Sequence, residues 1–199
     1  MAEPIILASA SVARARLLEA AGVAFSIEPA DIDETAIKRA ARDAGRSAMT
    51  CALALATEKA IHVSLRHPET LVIGADQILV AGDEWFDKPG NLTEARAQLR
   101  SLRGRTHVLV TAASAVCDGR QIWHAKCAPE MTMRSFSDGF LDQYIAAEGD
   151  VLLGSVGAYR LEGVGSQLFE RMKGDHFAVL GLPLLELLDF LRGRGVLLS

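Results

Sequence analysis

The stretch Leu71-Val72-Ile73-Gly74-Ala75-Asp76-Gln77-Ile78-Leu79-Val80 places apolar side chains on both faces of an extended segment. A strand wetted on one face alternates apolar and polar residues, so this run reads as a central strand covered on both sides. Asp76 interrupts it, and Gly74 and Ala75 before it leave room for close approach. A carboxylate in such a strand is costly unless it pairs, ligates a metal or titrates abnormally. The alternative is a structural, hydrogen-bonded aspartate.

A second strand lies upstream, at about residues 4–8, in Ile5-Ile6-Leu7-Ala8-Ser9-Ala10-Ser11-Val12-Ala13-Arg14-Ala15-Arg16-Leu17-Leu18. It runs through a Ser/Ala turn into a helix predicted over 12–21 and stopped at Gly22. Hydroxyls and backbone N–H groups at a helix start suit an anion such as phosphate. Arg14 precedes Leu17, Leu18 and Ala21 by three, four and seven positions, which turns it inward. A cation there opposes the helix dipole and must be desolvated, so it calls for a negative partner. That partner is either a bound phosphate or an Asp or Glu of the same chain.

Helices are predicted over 34–44 and from the Ser47 cap to about 65, and Thr93 reads as the cap of a helix to Arg103. Strands His107–Cys117 and Gln121–Lys126 meet across Asp118-Gly119, a hairpin signal. A strand near 130–135 and a helix at 138–147 capped by Ser137 follow, and the last helix opens with Pro183 at its first position. This is a mixed α/β pattern. No linker rich in Pro, Gly or Ser divides it, so residues 1–199 read as one domain, with two lobes around a cleft.

Composition narrows the function. Half of the 199 residues are hydrophobic, but the apolar runs are short and broken by charge, so no span of about 20 residues could cross a membrane. The N-terminus lacks the pattern of a signal peptide. Three cysteines, widely spaced and outside any C-x-x-C pattern, argue against disulfides and zinc and for a reducing cytoplasm. A net charge of −4 argues against a general nucleic-acid binder, though not against one anionic small molecule.

Glu34, with Asp31 and Asp33, forms an acidic group before a helix. Its oxygens suit Mg²⁺ or Mn²⁺, and such residues also serve as ordinary helix caps. Lys59 shares a helical stripe with Ala56, Ala60 and Val63, which makes it semi-buried or cleft-facing, and Lys88 sits in the turn Asp87-Lys88-Pro89-Gly90. Spacing alone favours solvated lysines at both places. Glu162 lies in the glycine-dense Gly157–Gly165 segment, which lacks the strand-to-helix arrangement of a dinucleotide fold. The five histidines lack ligand spacing.

Taken in order, these segments resemble the Maf family of nucleoside triphosphate pyrophosphatases. Leu7-Ala8-Ser9-Ala10-Ser11-Val12-Ala13-Arg14 is similar to its opening motif L-A-S-x-S-P-R-R, and Asp33-Glu34, Leu55–Ala60, Gly74-Ala75-Asp76, Lys88-Pro89 and Leu102–Thr111 follow in the family's order. Gly157-Ala158-Tyr159, Glu162-Gly163, Gly174-Asp175 and Val179–Leu184 complete the match. The resemblance implies an elongated, ITPase-like α/β fold of two lobes around a positively lined cleft, often a homodimer. It implies hydrolysis of a nucleoside triphosphate between the α and β phosphates, with a divalent metal cation (Mg²⁺, Mn²⁺ or Co²⁺).

In this chain it makes Asp76 the base that activates water and, with Glu34, a metal ligand. Arg14, Lys59 and Lys88 would neutralise phosphate charge, while Ser9 and Ser11 would position oxygens. Ala13, Gln77 and Glu162 stand where base preference is set. Gln77 and Glu162 resemble the branch acting on 7-methyl-GTP rather than the dTTP/UTP branch, which carries Thr and Gln. Ala13 matches neither branch. Val12 and Ala13 replace the motif's proline and first arginine, and Gly154-Ser155 stands where some members carry D-K. The family is also linked to septum arrest, so a nucleotide-binding regulator of cell division is the alternative. A related inosine or xanthosine triphosphatase is a third reading.

Overall fold

The computed structural model of the protein describes residues 4–198. In chain order the elements are β1 (Ile5–Leu7), α1 (Val12–Ala20), β2 (Ser26–Ile27), α2 (Glu34–Asp43), α3 (Ala48–Ser64), β3 (Leu71–Ala81) and β4 (Glu84–Phe86). There follow α4 (Leu92–Leu102), β5 (Thr106–Cys117), β6 (Arg120–Cys127), β7 (Glu130–Met133) and α5 (Asp138–Glu148). Three 3₁₀ turns between Gly149 and Leu168 lead to β8 (Phe169–Lys173), α6 (His176–Val179) and α7 (Leu184–Gly193). The fold is mixed α/β, and among the described residues no helix is long and apolar enough to cross a membrane.

The chain forms two compact units. The first contains residues up to Gln77, Val110–Cys127 and the segment from Asp175 onward; the second contains Ile78–Leu109 and Ala128–Gly174. Both β3 and β5 change unit in mid-strand.

In the first unit the strand order is β2-β1-β3-β5, with β6 beside β5. β1 runs parallel to β2 and β3, whereas β5 and β6 form an antiparallel hairpin turned by Asp118 and Gly119, both with positive φ. Strand alternation then sorts side chains onto two faces. Leu7, Leu71, Ile73, Ala75 and Ala113 pack with Leu18, Leu182, Leu187 and Leu191, under α1 and α7. Ile6, Ala8, Val72 and Val116 pack with Ala60 and Val63 of α3 on the other face. Asp76 has the parity of Val72 and Gly74, so it faces α3.

Gly74 permits a close crossing there. A Cβ at this position would stand 2.0 Å from the Ala56 carbonyl oxygen and 3.0 Å from the Ala60 Cβ. With Ala52, Ala56 and Ala60 on its buried stripe, α3 lies almost backbone to backbone on β3.

In the second unit β7 pairs antiparallel with both β5 and β8, and β4 folds back on the end of β3. Arg100 and Arg103 of α4 both reach Asp138 of α5 at 2.5 Å, and Arg96 pairs with Asp142. The two arginine bonds hold the Asp138 carboxyl well below its usual range. His107 is 1% exposed, and its Nε2 lies 2.7 Å from the Tyr159 hydroxyl. Its Nδ1 has no partner among the described residues. Burial, reinforced by the charge of Arg105, lowers the imidazole pKa to about 4.

The expected boundaries need four corrections. Asn91, not Thr93, caps α4: its side chain accepts from Glu94 N at 2.9 Å while Glu94 reaches back to Gly90 N at 2.8 Å. That reciprocal pair favours the earlier start. Pro183 is the cap of α7 rather than its first residue, and the 130–135 strand ends at Met133. The segment from Gly149 to Leu168 winds into 3₁₀ turns, and β8 follows it with no sequence counterpart.

Candidate active site

The site grows from the carboxyl end of β1 and the middle of β3, where their parallel pairing stops, the side of a parallel pair where ligands usually bind. Ala8 N donates to Ile73 O at 2.8 Å, which sets Ser9 just past β1 and level with the Gly74–Asp76 stretch of β3. Ser9 Oγ accepts from Ser11 N (3.2 Å), and Ser11 Oγ in turn caps α1 by accepting from Arg14 N (3.4 Å). The Ser/Ala turn is therefore tightened by its own hydroxyls. Ala13, on the first turn of α1, is half-buried.

Arg14 points inward, as its spacing predicts, and is 9% exposed. Within the chain its partners are carbonyl and hydroxyl oxygens rather than a carboxylate. Nε donates to Gly181 O (2.8 Å), and Nη1 donates to Ala75 O (2.9 Å) and Ser9 Oγ (3.0 Å). Carbonyl dipoles thus meet part of its desolvation cost. Burial still lowers the guanidinium pKa from its ordinary value, while the negative charges of Asp76 and Glu34 act the other way.

Asp76 is 4% exposed and Lys59 7%. Lys59 Nζ lies 2.6 Å from Asp76 Oδ1 and 2.8 Å from Glu34 Oε1. The solvated lysine favoured by spacing is overturned: position 59 faces β3 where Gly74 lets α3 close in, so the ammonium is held between two carboxylates. Glu34 begins α2 behind the Asp33 cap, which accepts from Ala36 N at 2.9 Å, and its side chain is 44% exposed. Asp76 Oδ2 is fully buried and has no hydrogen-bond partner among the described residues. A buried lone pair of this kind is costly unless a proton donor or cation meets it.

That orphan oxygen, with the carboxylate of Glu34 nearby, is a hard-oxygen donor set that suits a divalent ion such as Mg²⁺ or Mn²⁺. A different group, Cys127, Asp175 and Glu186, also brings its ligand atoms within 4.8 Å of one another. Its chemistry is poor for a metal. Asp175 uses both oxygens to cap α6, and burial and the neighbouring Glu186 push the Cys127 thiol up to about 12.

Gln77, next along β3, is pinned by its amide. Nε2 donates to Thr111 Oγ1 (2.8 Å), Ala178 O (2.9 Å) and Val179 O (3.2 Å), and Thr111 Oγ1 donates to Ala178 O (2.9 Å). Carbonyls only accept, so they fix which way the amide faces. Thr111 escaped the sequence reading as a site residue. Its signal was a hydroxyl at a fully buried position of β5. The carbonyls at 178, 179 and 181 carry no side-chain signal at all.

Ser9, Ser11, Arg14, Glu34, Lys59, Asp76 and Gln77 thus belong to the first unit, where Lys59 joins Asp76 to Glu34 and Arg14 joins Ser9 to the backbone of Ala75 next to Asp76. Lys88 and Glu162 belong to the second unit, where both are exposed: Lys88 follows β4, and Glu162 lies between 3₁₀ turns.

Comparison with known proteins places the chain as a whole. The chain is 53% identical to a "Nucleoside triphosphate pyrophosphatase" of Paramagnetospirillum magneticum, over 96% of this chain and 99% of that one. It is 52% identical to a protein of the same name from Rhodospirillum rubrum, over 98% and 97%. It is 47% identical to a "7-methyl-GTP pyrophosphatase" of Mesorhizobium japonicum, over 99% of both chains. The model of the Maf-like protein family matches residues 4–194. A match from the first described strand to the end of α7, through every segment that builds the site, makes this chain a member of the Maf family.

Proposed function

We propose that this chain hydrolyses nucleoside triphosphates to the monophosphate and pyrophosphate with the help of a divalent cation. One observation carries the reading: Asp76, buried in the middle of β3 just past its parallel pairing with β1, is held by Lys59 through Oδ1 and keeps Oδ2 without a hydrogen-bond partner among the described residues. Such an oxygen is suited to take a proton from water. Water attacks the α-phosphorus, the Asp76 carboxylate accepts its proton, and the bond from that phosphorus to the α–β bridging oxygen breaks, so pyrophosphate leaves.

Asp76 and Glu34 would hold the cation, which when bound supplies charge to neutralise phosphate oxygens. Lys59 orients the Asp76 carboxylate. Arg14 ties the Ser9 turn to the β3 backbone at Ala75, so the two ends of the site keep their spacing, and its buried charge adds to the field felt by a triphosphate. Ser9 and Ser11 offer hydroxyls to phosphate oxygens. On the family resemblance alone, Lys88 neutralises phosphate charge and Glu162, Gln77 and Ala13 bear on the base. A 7-methylated or otherwise modified purine is the preferred base, supported by Gln77 and Glu162 and by the 7-methyl-GTP pyrophosphatases among the relatives. A cytoplasmic location belongs to the same proposal and agrees with the free thiols of Cys51, Cys117 and Cys127.

The test is a panel of triphosphates (7-methyl-GTP, GTP, dTTP, UTP, ITP) with Mg²⁺, Mn²⁺ or Co²⁺, the products being separated by ion exchange. Monophosphate and pyrophosphate are expected, with 7-methyl-GTP the best substrate. Asp76→Asn, which keeps the fold but cannot accept the proton, should lower kcat by at least about 10²-fold. Orthophosphate and diphosphate as products, or full activity in the variant, would refute the mechanism. Tight nucleotide binding with no turnover would favour a regulator.

A further inference from the structure

We propose that Lys59 is a resident stand-in for the metal ion: its ammonium occupies the Glu34–Asp76 carboxylate pair in the free protein and must give up Glu34 before a divalent cation binds well. This rests on the functional reading above, since it concerns the same carboxylates.

Three observations carry it. The ammonium touches both carboxylates at once, at 2.8 Å and 2.6 Å, and 7% exposure leaves it few alternative partners. The two carboxylates differ in freedom: Asp76 is 4% exposed and fixed in β3, whereas the Glu34 side chain is 44% exposed at the first turn of α2. The bridge therefore opens at its Glu34 end. Asp76 Oδ2 is buried and has no hydrogen-bond partner among the described residues, although Oδ1 of the same carboxylate is bonded.

A monovalent ammonium thus compensates a pair whose orphan oxygen still lacks a cation. A divalent ion between the same carboxylates would meet the Lys59 charge at close range, which weakens its binding. A triphosphate gives Lys59 another anionic partner, so departure of the ammonium from Glu34 and arrival of the nucleotide support one another. Lys59 then couples metal affinity to substrate, and the free protein holds metal weakly.

The experiment measures Mn²⁺ binding by electron paramagnetic resonance on the full chain without nucleotide, so no turnover enters the readout. Lys59→Met and Lys59→Gln remove the charge, the second keeping a donor for Asp76. Lys59→Arg keeps the charge. Folding of each is checked by circular dichroism. The expected result is Mn²⁺ binding at least about tenfold tighter in both neutral variants than in wild type, and no tightening in Lys59→Arg. Neutral variants that bind Mn²⁺ no more tightly than wild type overturn the proposal, as does equal tightening in Lys59→Arg. Absence of Mn²⁺ binding in all four proteins overturns it together with the metal part of the functional reading. The product analysis with Asp76→Asn tests the rest of that reading separately.

Discussion

Gly74→Ala puts the close crossing of α3 over β3 to a direct test. The added Cβ would stand 2.0 Å from the Ala56 carbonyl oxygen, a backbone atom that no rotamer change can move. A carbon–oxygen contact settles at about 3.3 Å or more, so α3 must retreat by roughly 1.3 Å. Overpacking of this kind costs about 1–3 kcal/mol, and a backbone obstacle places this case near about 3 kcal/mol. Lys59 rides on the same helix, between Ala56 and Ala60, so its 2.6 Å bond to Asp76 stretches with the retreat. Misplacement by about 1 Å at a reacting centre is worth roughly 10² in rate. The assay pairs urea unfolding, followed by circular dichroism, with kcat on the best triphosphate. Gly154→Ala is the control, since nothing lies within 4 Å of its added Cβ. If Gly74→Ala matches wild type in both measurements, the close crossing is wrong. If stability falls while kcat is unchanged, the packing argument survives, and the claim that α3 sets the Lys59–Asp76 geometry does not.

Two further predictions concern titratable groups. His107 takes up a proton at about pH 4 in the folded protein and near its ordinary value of about 6.5 when unfolded. The unfolded state therefore binds more protons between those values, and stability falls as pH drops from about 6.5 to about 4, by up to about 3 kcal/mol. Urea titrations across that range should show a shallower slope for His107→Phe, and identical slopes would remove the buried imidazole as the cause. Cys127, with its thiol raised to about 12, should react with iodoacetamide at pH 8 roughly 10³-fold more slowly than an unperturbed thiol. Peptide mass spectrometry reads this site by site, and alkylation at the ordinary rate would contradict the assigned environment.

Much of the first unit was legible because local signals and tertiary demands agree there. The two-sided apolar run at 71–80 is a central strand, Asp118-Gly119 turns the β5–β6 hairpin, and Ser11 and Ser47 cap the expected helices. Asn91 and Thr93 are both good caps, and Glu94 decides between them only through its reach back to Gly90. The 3₁₀ turns after Gly149 have no period for a pattern to find, and Phe-Glu-Arg-Met-Lys in β8 lacks the alternation of a strand. At the site, Asp76 could be read as buried because its neighbours are apolar. Lys59 was legible as semi-buried from its stripe, but not its clamp between two carboxylates, since that closeness is set by a glycine fifteen positions away. Arg14 was legible as inward-facing, but its acceptors are main-chain carbonyls of residues distant in sequence.

The Arg14–Gly181 bond, spanning 167 positions, has a consequence for how the protein comes off the ribosome. The first unit is assembled from three separate stretches of chain, and the last begins only at Asp175. Domains tend to fold as units in the order of synthesis, yet this one lacks Leu182, Leu187 and Leu191, part of the cover over β1 and β3, until the chain through α7 has emerged. Arg14 must wait until residue 181 has been made for its acceptor, so a nascent chain halted before α6 carries the strands of the site without the brace that sets them.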